Sequence, residues 1–390
     1  MVDIRKADMK RGFLLPVLLG ILATALSASA IAAPPQSVDI PLDHSDDFSA
    51  SAIEPIGNDQ YCLAGDIYHD EVPNTSGFVM LVDASKRRVV WSLDIPYAKS
   101  NYENAALSCK SDGTFLYVLS QEQTDSSSSV SQSELVLSKI SASGKLLKRQ
   151  RVSAGFDEWD YLLSVDANGV SVAGGMNDAL NRSGKFSVFM ATFDKELKPQ
   201  GVTTLPTGAF WVGTQARLEG QHLFMAGQFM ANGSQGSSGH DGYAVSKVDL
   251  SKRGYVWSTY VYPRDLLRTK TAFLPDGSVA YVGLSASNRP PLLVSLIDTS
   301  GKLKKENFTL SQPICAAKAL APSGSVLEII GRSCSDEHSW FSVKIDLAAE
   351  KVIGTQRFDK DVDAVQAEGN AWLSVVGDIG APKTFKRITR

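Results

Sequence analysis

Histidine is scarce in this 390-residue chain. His44, His69, His222, His240 and His338 fall far apart, which excludes a zinc site built on closely spaced imidazoles. Basic excess is missing as well: 39 Lys and Arg stand against 42 Asp and Glu, a formal charge of −3, so nothing is available to track a phosphate backbone and nucleic acid is excluded as a partner. The main apolar run, Phe13–Leu26, is shorter than the roughly 20 residues that cross a bilayer. No nucleophile elbow occurs. Ser237-Ser238-Gly239-His240-Asp241 brings serine, histidine and aspartate together only as chain neighbours, without the Gly-x-Ser-x-Gly turn between strand and helix. Asp359, Asp361 and Asp363 alternate, but no glycine follows at the sixth loop position and no glutamate at the twelfth, which excludes a helix-loop-helix calcium loop. No cofactor and no metal are expected.

What is present begins with a leader. Arg5, Lys6, Lys10 and Arg11 precede Phe13–Leu26, and Ala28-Ser29-Ala30 supplies a small-residue cleavage pattern, the form of a secretory signal peptide. The expected organisation is a leader over 1–30, a spacer over 31–37 and one domain over 38–390, periplasmic or secreted, with no membrane span after cleavage. No cysteine lies near the cleavage site, which excludes lipid attachment there.

The remainder is a repeat. Trp211–Tyr262 reads as four short apolar runs bounded by Gly, Asp, Asn or Ser, the pattern of antiparallel strands. Its first tight turn, Leu218-Glu219-Gly220, recurs with glycine at 57, 113, 169, 277, 324 and 369; glycine suits such turns because it takes a positive φ without steric cost. Second strands mostly end in an apolar pair and glycine, as in Val172-Ala173-Gly174 and Ile329-Ile330-Gly331, and third strands mostly end in aspartate, as at Asp83, Asp194, Asp249, Asp298 and Asp346. An aspartate there starts an Asx turn. The last unit runs out after Thr384–Ile388, while Val38–Leu42 is an orphan strand at the other end. The fold predicted is all-β: a seven-bladed β-propeller whose N-terminal strand completes the last blade and removes an open edge.

Four cysteines in an oxidising compartment allow three pairings. Cys62 and Cys109 share one end of neighbouring units and Cys315 and Cys334 share one end of a later unit, so the disulfides expected are Cys62–Cys109 and Cys315–Cys334. The loops between second and third strands carry the excess length of each unit, which gives one face a loop-borne binding surface.

Asp83-Ala84-Ser85 followed by Trp91, and Asp249-Leu250-Ser251 followed by Gly254 and Trp257, resemble the Asp-turn-Gly-Trp units of secreted quinoprotein-like β-propellers. The resemblance is a loose pattern over all seven units, with tryptophan in these two. It is nearer to the non-catalytic periplasmic members that serve as docking platforms than to the eight-bladed quinone enzymes.

Residues ten and nine positions before the turn glycines enter the ring at the loop-bearing mouth. They include Glu103, Asn104, Trp159, Asp160, Phe210, Trp211 and Arg268, a mix of aromatics and charges that suits a recognition surface rather than a catalytic ring. Phe156–Tyr161 is the densest stretch. The binding residues expected are therefore Glu103, Asp157, Glu158, Trp159, Asp160, Phe210, Trp211, Arg264 and Arg268, on a monomeric, non-catalytic scaffold that docks a protein. Arg264, Arg268 and Lys270, with Arg217, could instead gather an anion, which carries the alternative of a hydrolase or lyase acting on a sugar or lactone at the mouth.

Overall fold

A computed structural model describes residues 38–42, 47–69, 74–124, 132–178, 185–207, 209–231, 242–261, 266–285, 292–310, 314–334, 339–358, 361–377 and 382–389. At 209–214, 228–231, 242, 261, 266–269, 284–285, 306–310, 358 and 389 it describes backbone alone. The strands fall into seven four-stranded antiparallel sheets. The first strands of these sheets are Phe48–Gly57, Glu103–Ser111, Asp157–Val165, Ala209–Glu219, Leu266–Phe273, Ile314–Ser323 and Val362–Glu368. Each touches the first strand of the next sheet, and the seventh touches the first. The first strands thus form the inner wall of a closed ring, and the molecule is a seven-bladed β-propeller, its blades numbered 1 to 7 in that order. No helix among the described residues is long and apolar enough to cross a membrane.

Closure follows the sequence expectation. Val38–Leu42 is the outer strand of blade 7, antiparallel to Lys383–Thr389, with Val38 opposite Arg387 and Leu42 opposite Lys383. Ile40 and Leu42 are buried there, and Lys386 Nζ reaches Asp39 at 2.9 Å. The apolar core is divided. Among the described residues it forms seven clusters, each packed between two adjacent blades. Both faces of every sheet are therefore covered, which explains the near-continuous apolar runs of the second and third strands.

All seven turn glycines have φ between +51° and +153°, as the turns require. Asp83, Asp194, Asp249, Asp298 and Asp346 accept backbone N–H groups two to four residues on, at 2.9–3.1 Å. At Asp249 the Ser251 hydroxyl adds to these bonds and holds the carboxyl down to about 2. Trp91 and Trp257 lie across blade boundaries: Trp91 Nε1 donates to Ala142 O at 3.0 Å with its ring over Gly144, and Trp257 covers Gly301 of blade 5.

One regular feature is absent from the side-chain pattern of the sequence. Every inner strand breaks register with its neighbour toward the loop-bearing end, the extra residues being Ser51, Leu107, Tyr161, Gly213-Thr214, Arg268-Thr269, Lys318 and Asp363; blade 6 has a second break at Cys315 and blade 1 another at Ile56, beside its turn. Each break is a β-bulge that bends the strand and re-aims a side chain. The bulge also accounts for the glycine of most second strands, which does not end the strand as expected but lies inside it, the strands running on to Tyr68, Asn177, Ala231, Ser285 and Ser333. A Cβ on Gly65, Gly174 or Gly331 would lie 1.9, 2.3 or 2.6 Å from the carbonyl oxygen of Ser49, Trp159 or Ala316, each of them two residues before the bulge.

Both disulfides pair as expected. Cys62–Cys109 joins blades 1 and 2, and Cys315–Cys334 joins the start of the inner strand of blade 6 to the residue after its second strand, with Cα separations of 6.4 and 4.8 Å.

Candidate functional site

The connections between second and third strands are six to ten residues long, whereas the hairpin turns at the opposite end are two to five. The elaborated end also receives the links between blades, so the channel mouth and the long loops share one face.

At this mouth several inner strands open with a polar side chain that reaches back to the preceding blade. Asn104 is buried; its Oδ1 accepts from Gly77 N at 2.5 Å and its Nδ2 donates to Ile95 O at 3.0 Å. Asp157 accepts from Ser133 N at 2.9 Å. Glu158, 3 % exposed, accepts from Leu135 N at 3.1 Å, Gly155 N at 2.9 Å and Ala154 N. Burial raises its carboxyl pKa while those amides pull it back down. Asp157 and Glu158 thus hold blade 3 to blade 2 by satisfying buried backbone donors. Trp159 Nε1 donates to Tyr161 Oη at 3.0 Å, and its ring meets Phe186 edge-on at 6.3 Å. Phe210 and Trp211 lie on the inner strand of blade 4 opposite Met230 and Phe229, with side chains outside the described set. Arg268 sits in the bulge of blade 5, its side chain likewise outside, and Arg264 lies outside the described residues.

Nearer the axis, charged groups from consecutive blades come within electrostatic reach of one another. Glu103 of blade 2 and Asp363 of blade 7 both act on Asp66 of blade 1, whose pKa is raised first by burial and then by these like charges, against a hydrogen bond from Tyr68. Asp363 accepts from Ser49 Oγ at 3.1 Å, from Ala50 N at 2.7 Å and from Lys383 Nζ at 3.2 Å. Lys383 is 4 % exposed, so this ion pair is buried. Lys318 of blade 6 feels Asp363 and Lys383, and Lys270 of blade 5 feels Lys318; burial lowers both lysine pKa values. Asp160, on blade 3, stands apart: burial alone lifts its carboxyl to about 6, opposed only by a backbone hydrogen bond.

The inner strands are therefore unevenly charged, with Lys270 and Lys318 on blades 5 and 6 and Glu103 on blade 2, near Asp66 of the second strand of blade 1. Of the residues expected from sequence, Glu103 belongs to this arrangement. Asp66, Lys318, Asp363 and Lys383 were not among them. Lys318 and Asp363 both sit six positions before their turn glycines, so a rule counting six back, to the bulge, would have found them.

A second concavity of about 390 Å³ lies at the outer part of blade 2, lined by Ala98, Asn101, Glu122, Glu134, Arg149 and Arg151 among others. Glu122 is buried at its base and pairs with Arg149, while accepting from Asn101 Nδ2 at 2.5 Å and Ala98 N at 3.2 Å. Its charges are matched within the fold.

No protein-family model matches the chain, and no curated protein does. Solved structures match it by shape. The Dos1 propeller superposes with a TM-score of 0.55 at 12% identity, covering 89% of this chain and 86% of that one. Sqt1 from Saccharomyces cerevisiae superposes with a TM-score of 0.50 at 11% identity, covering 87% and 83%. At such identities the likeness supports the propeller fold and nothing finer.

Proposed function

We propose that this propeller is an exported, monomeric, non-catalytic scaffold that docks a protein partner through its loop-bearing face. The observation that carries the reading is the difference in connection length between the two ends of the ring: a rigid wall of inter-blade cores presents variable loops on one side only. Trp159 and Glu103 of the inner strands at that end, with Phe210 and Trp211 placed on the inner strand of blade 4, are residue types that protein interfaces favour. The two disulfides support an oxidising compartment, in keeping with the leader read from the sequence.

The test is face-specific photo-crosslinking in the producing cell. A photoreactive residue at Ser100 or Asp178, both exposed at the loop-bearing end, should yield the same discrete adduct. Placed at Thr114 or Asn168, exposed at the turn end, it should yield none. Adducts of equal strength from both ends, or none from the loop end, would defeat the reading.

A further inference from the structure

The inner strands of blades 5 and 6 lie side by side, and each carries a lysine at its register break. Lys270 is the first paired residue after the bulge of blade 5, and Lys318 is the extra residue between Ala317 and Ala319. Lys318 is exposed although it belongs to an innermost strand, so the solvent it meets is that of the central channel. Neither ammonium has a hydrogen-bond or ion-pair partner among the described residues, and neither is among the residues with further contacts. The carboxylate nearest in charge, Asp363, is already engaged by Ser49 Oγ, Ala50 N and the buried Lys383. Lys318 and Lys383 share that one carboxylate, and the only charge that Lys270 feels is that of Lys318. Lys270, half-buried, holds its charge without a partner, which is costly, and the like charge of Lys318 beside it adds to that cost, in keeping with the lowered ammonium pKa of Lys270.

We propose that Lys270 and Lys318 form an anion site in the channel, which takes a carboxylate or phosphate group of a small molecule between their two ammonium groups. An oxyanion offers each lysine the charge-assisted acceptor it lacks. The far wall sets what else the ligand can carry. In a ring of seven, blade 2 stands across from the junction of blades 5 and 6, so Glu103, with Asp66 within reach of it, stands on the opposite side of the ring from the site. That wall turns away a second anionic end and orients a ligand with its neutral or cationic part toward blades 1 and 2. The site goes beyond protein docking and is independent of it, because its lysines lie inside the ring and the docking loops lie outside.

The experiment is titration calorimetry on the full-length chain with inorganic phosphate and with succinate, at pH 7.5, against sodium chloride of matched ionic strength. Saturable binding of phosphate, of succinate, or of both is expected, with chloride silent; whichever binds identifies the group. Lys270→Met or Lys318→Met should weaken binding about tenfold or more, the loss of one charged hydrogen bond, and the double variant should abolish it. The unliganded double variant should melt at or above the wild type, since the repulsion is gone, and should keep the Ser100 and Asp178 crosslinks. No saturable binding to the wild type, equal binding to the double variant, or a double variant that melts well below the wild type would each overturn the site; the last would make the lysines structural.

Discussion

Asp160 is an acid whose ionisation the fold resists. Its pKa rises from 3.8 to about 6 because burial disfavours the carboxylate. Between those values the folded chain holds a proton that the unfolded chain has released, so stability falls as pH climbs from about 4 to 6, and the deficit persists above that window. Asp160→Asn removes the charge and keeps the shape. It should therefore stabilise the protein at pH 7.5 by on the order of 2 kcal/mol and leave it unchanged near pH 4. Thermal melts of both proteins at the two pH values check this, and a gap of equal size at both would refute it. Glu158 is also raised by burial, but three amides oppose that rise. Both carboxylates stand in the same run, Asp157-Glu158-Trp159-Asp160, and composition could not tell them apart. What separates them is position along one face of the strand: Glu158 lies where the amides of Ala154, Gly155 and Leu135 reach it, whereas Asp160 sits just before the bulge.

The strands repeat one plan, and most of that plan can be read without coordinates. Turn glycines, third-strand aspartates and the orphan Val38–Leu42 each report a local need: a positive φ, an amide-accepting carboxylate, a missing edge partner. The inner-strand bulge was not readable directly, because an inserted residue leaves side-chain periodicity on either side nearly intact. It left one trace, the glycine within most second strands, which marks where a carbonyl two residues before the bulge comes close. Counting nine and ten residues back from the turn gave the level of Asn104 in blade 2. In blade 3 a longer first turn, closed by Asp166 N to Gly169 O, places Glu158 at that level instead. The N-terminal strand carries a prediction of its own. Deleting 38–42 removes Ile40 and Leu42 from the boundary of blades 7 and 1, at about 1.5–3 kcal/mol each, and bares the edge of Lys383–Thr389. A lower melting temperature and aggregation should follow. An unaltered melting curve would count against closure by this strand.

The molecule as a whole is a ring of sheets joined by apolar layers, and its two disulfides act on that ring differently. Cys62–Cys109 crosses the boundary of blades 1 and 2 and closes 47 residues; Cys315–Cys334 stays within blade 6 and closes 19. Loop-closure entropy puts these at about 4 and about 3 kcal/mol. The pair Cys62→Ser and Cys109→Ser should therefore lower stability more than Cys315→Ser and Cys334→Ser, as denaturant melts of the two double variants will report; the reverse order would show that closing the longer loop is not what matters.

The pairing of Val38–Leu42 with Lys383–Thr389 sets an order of events. Residues 38–42 wait for residues 383–389, so the circle cannot be completed until that late stretch has been made. Until then the polypeptide remains an open ribbon with a free margin at each end.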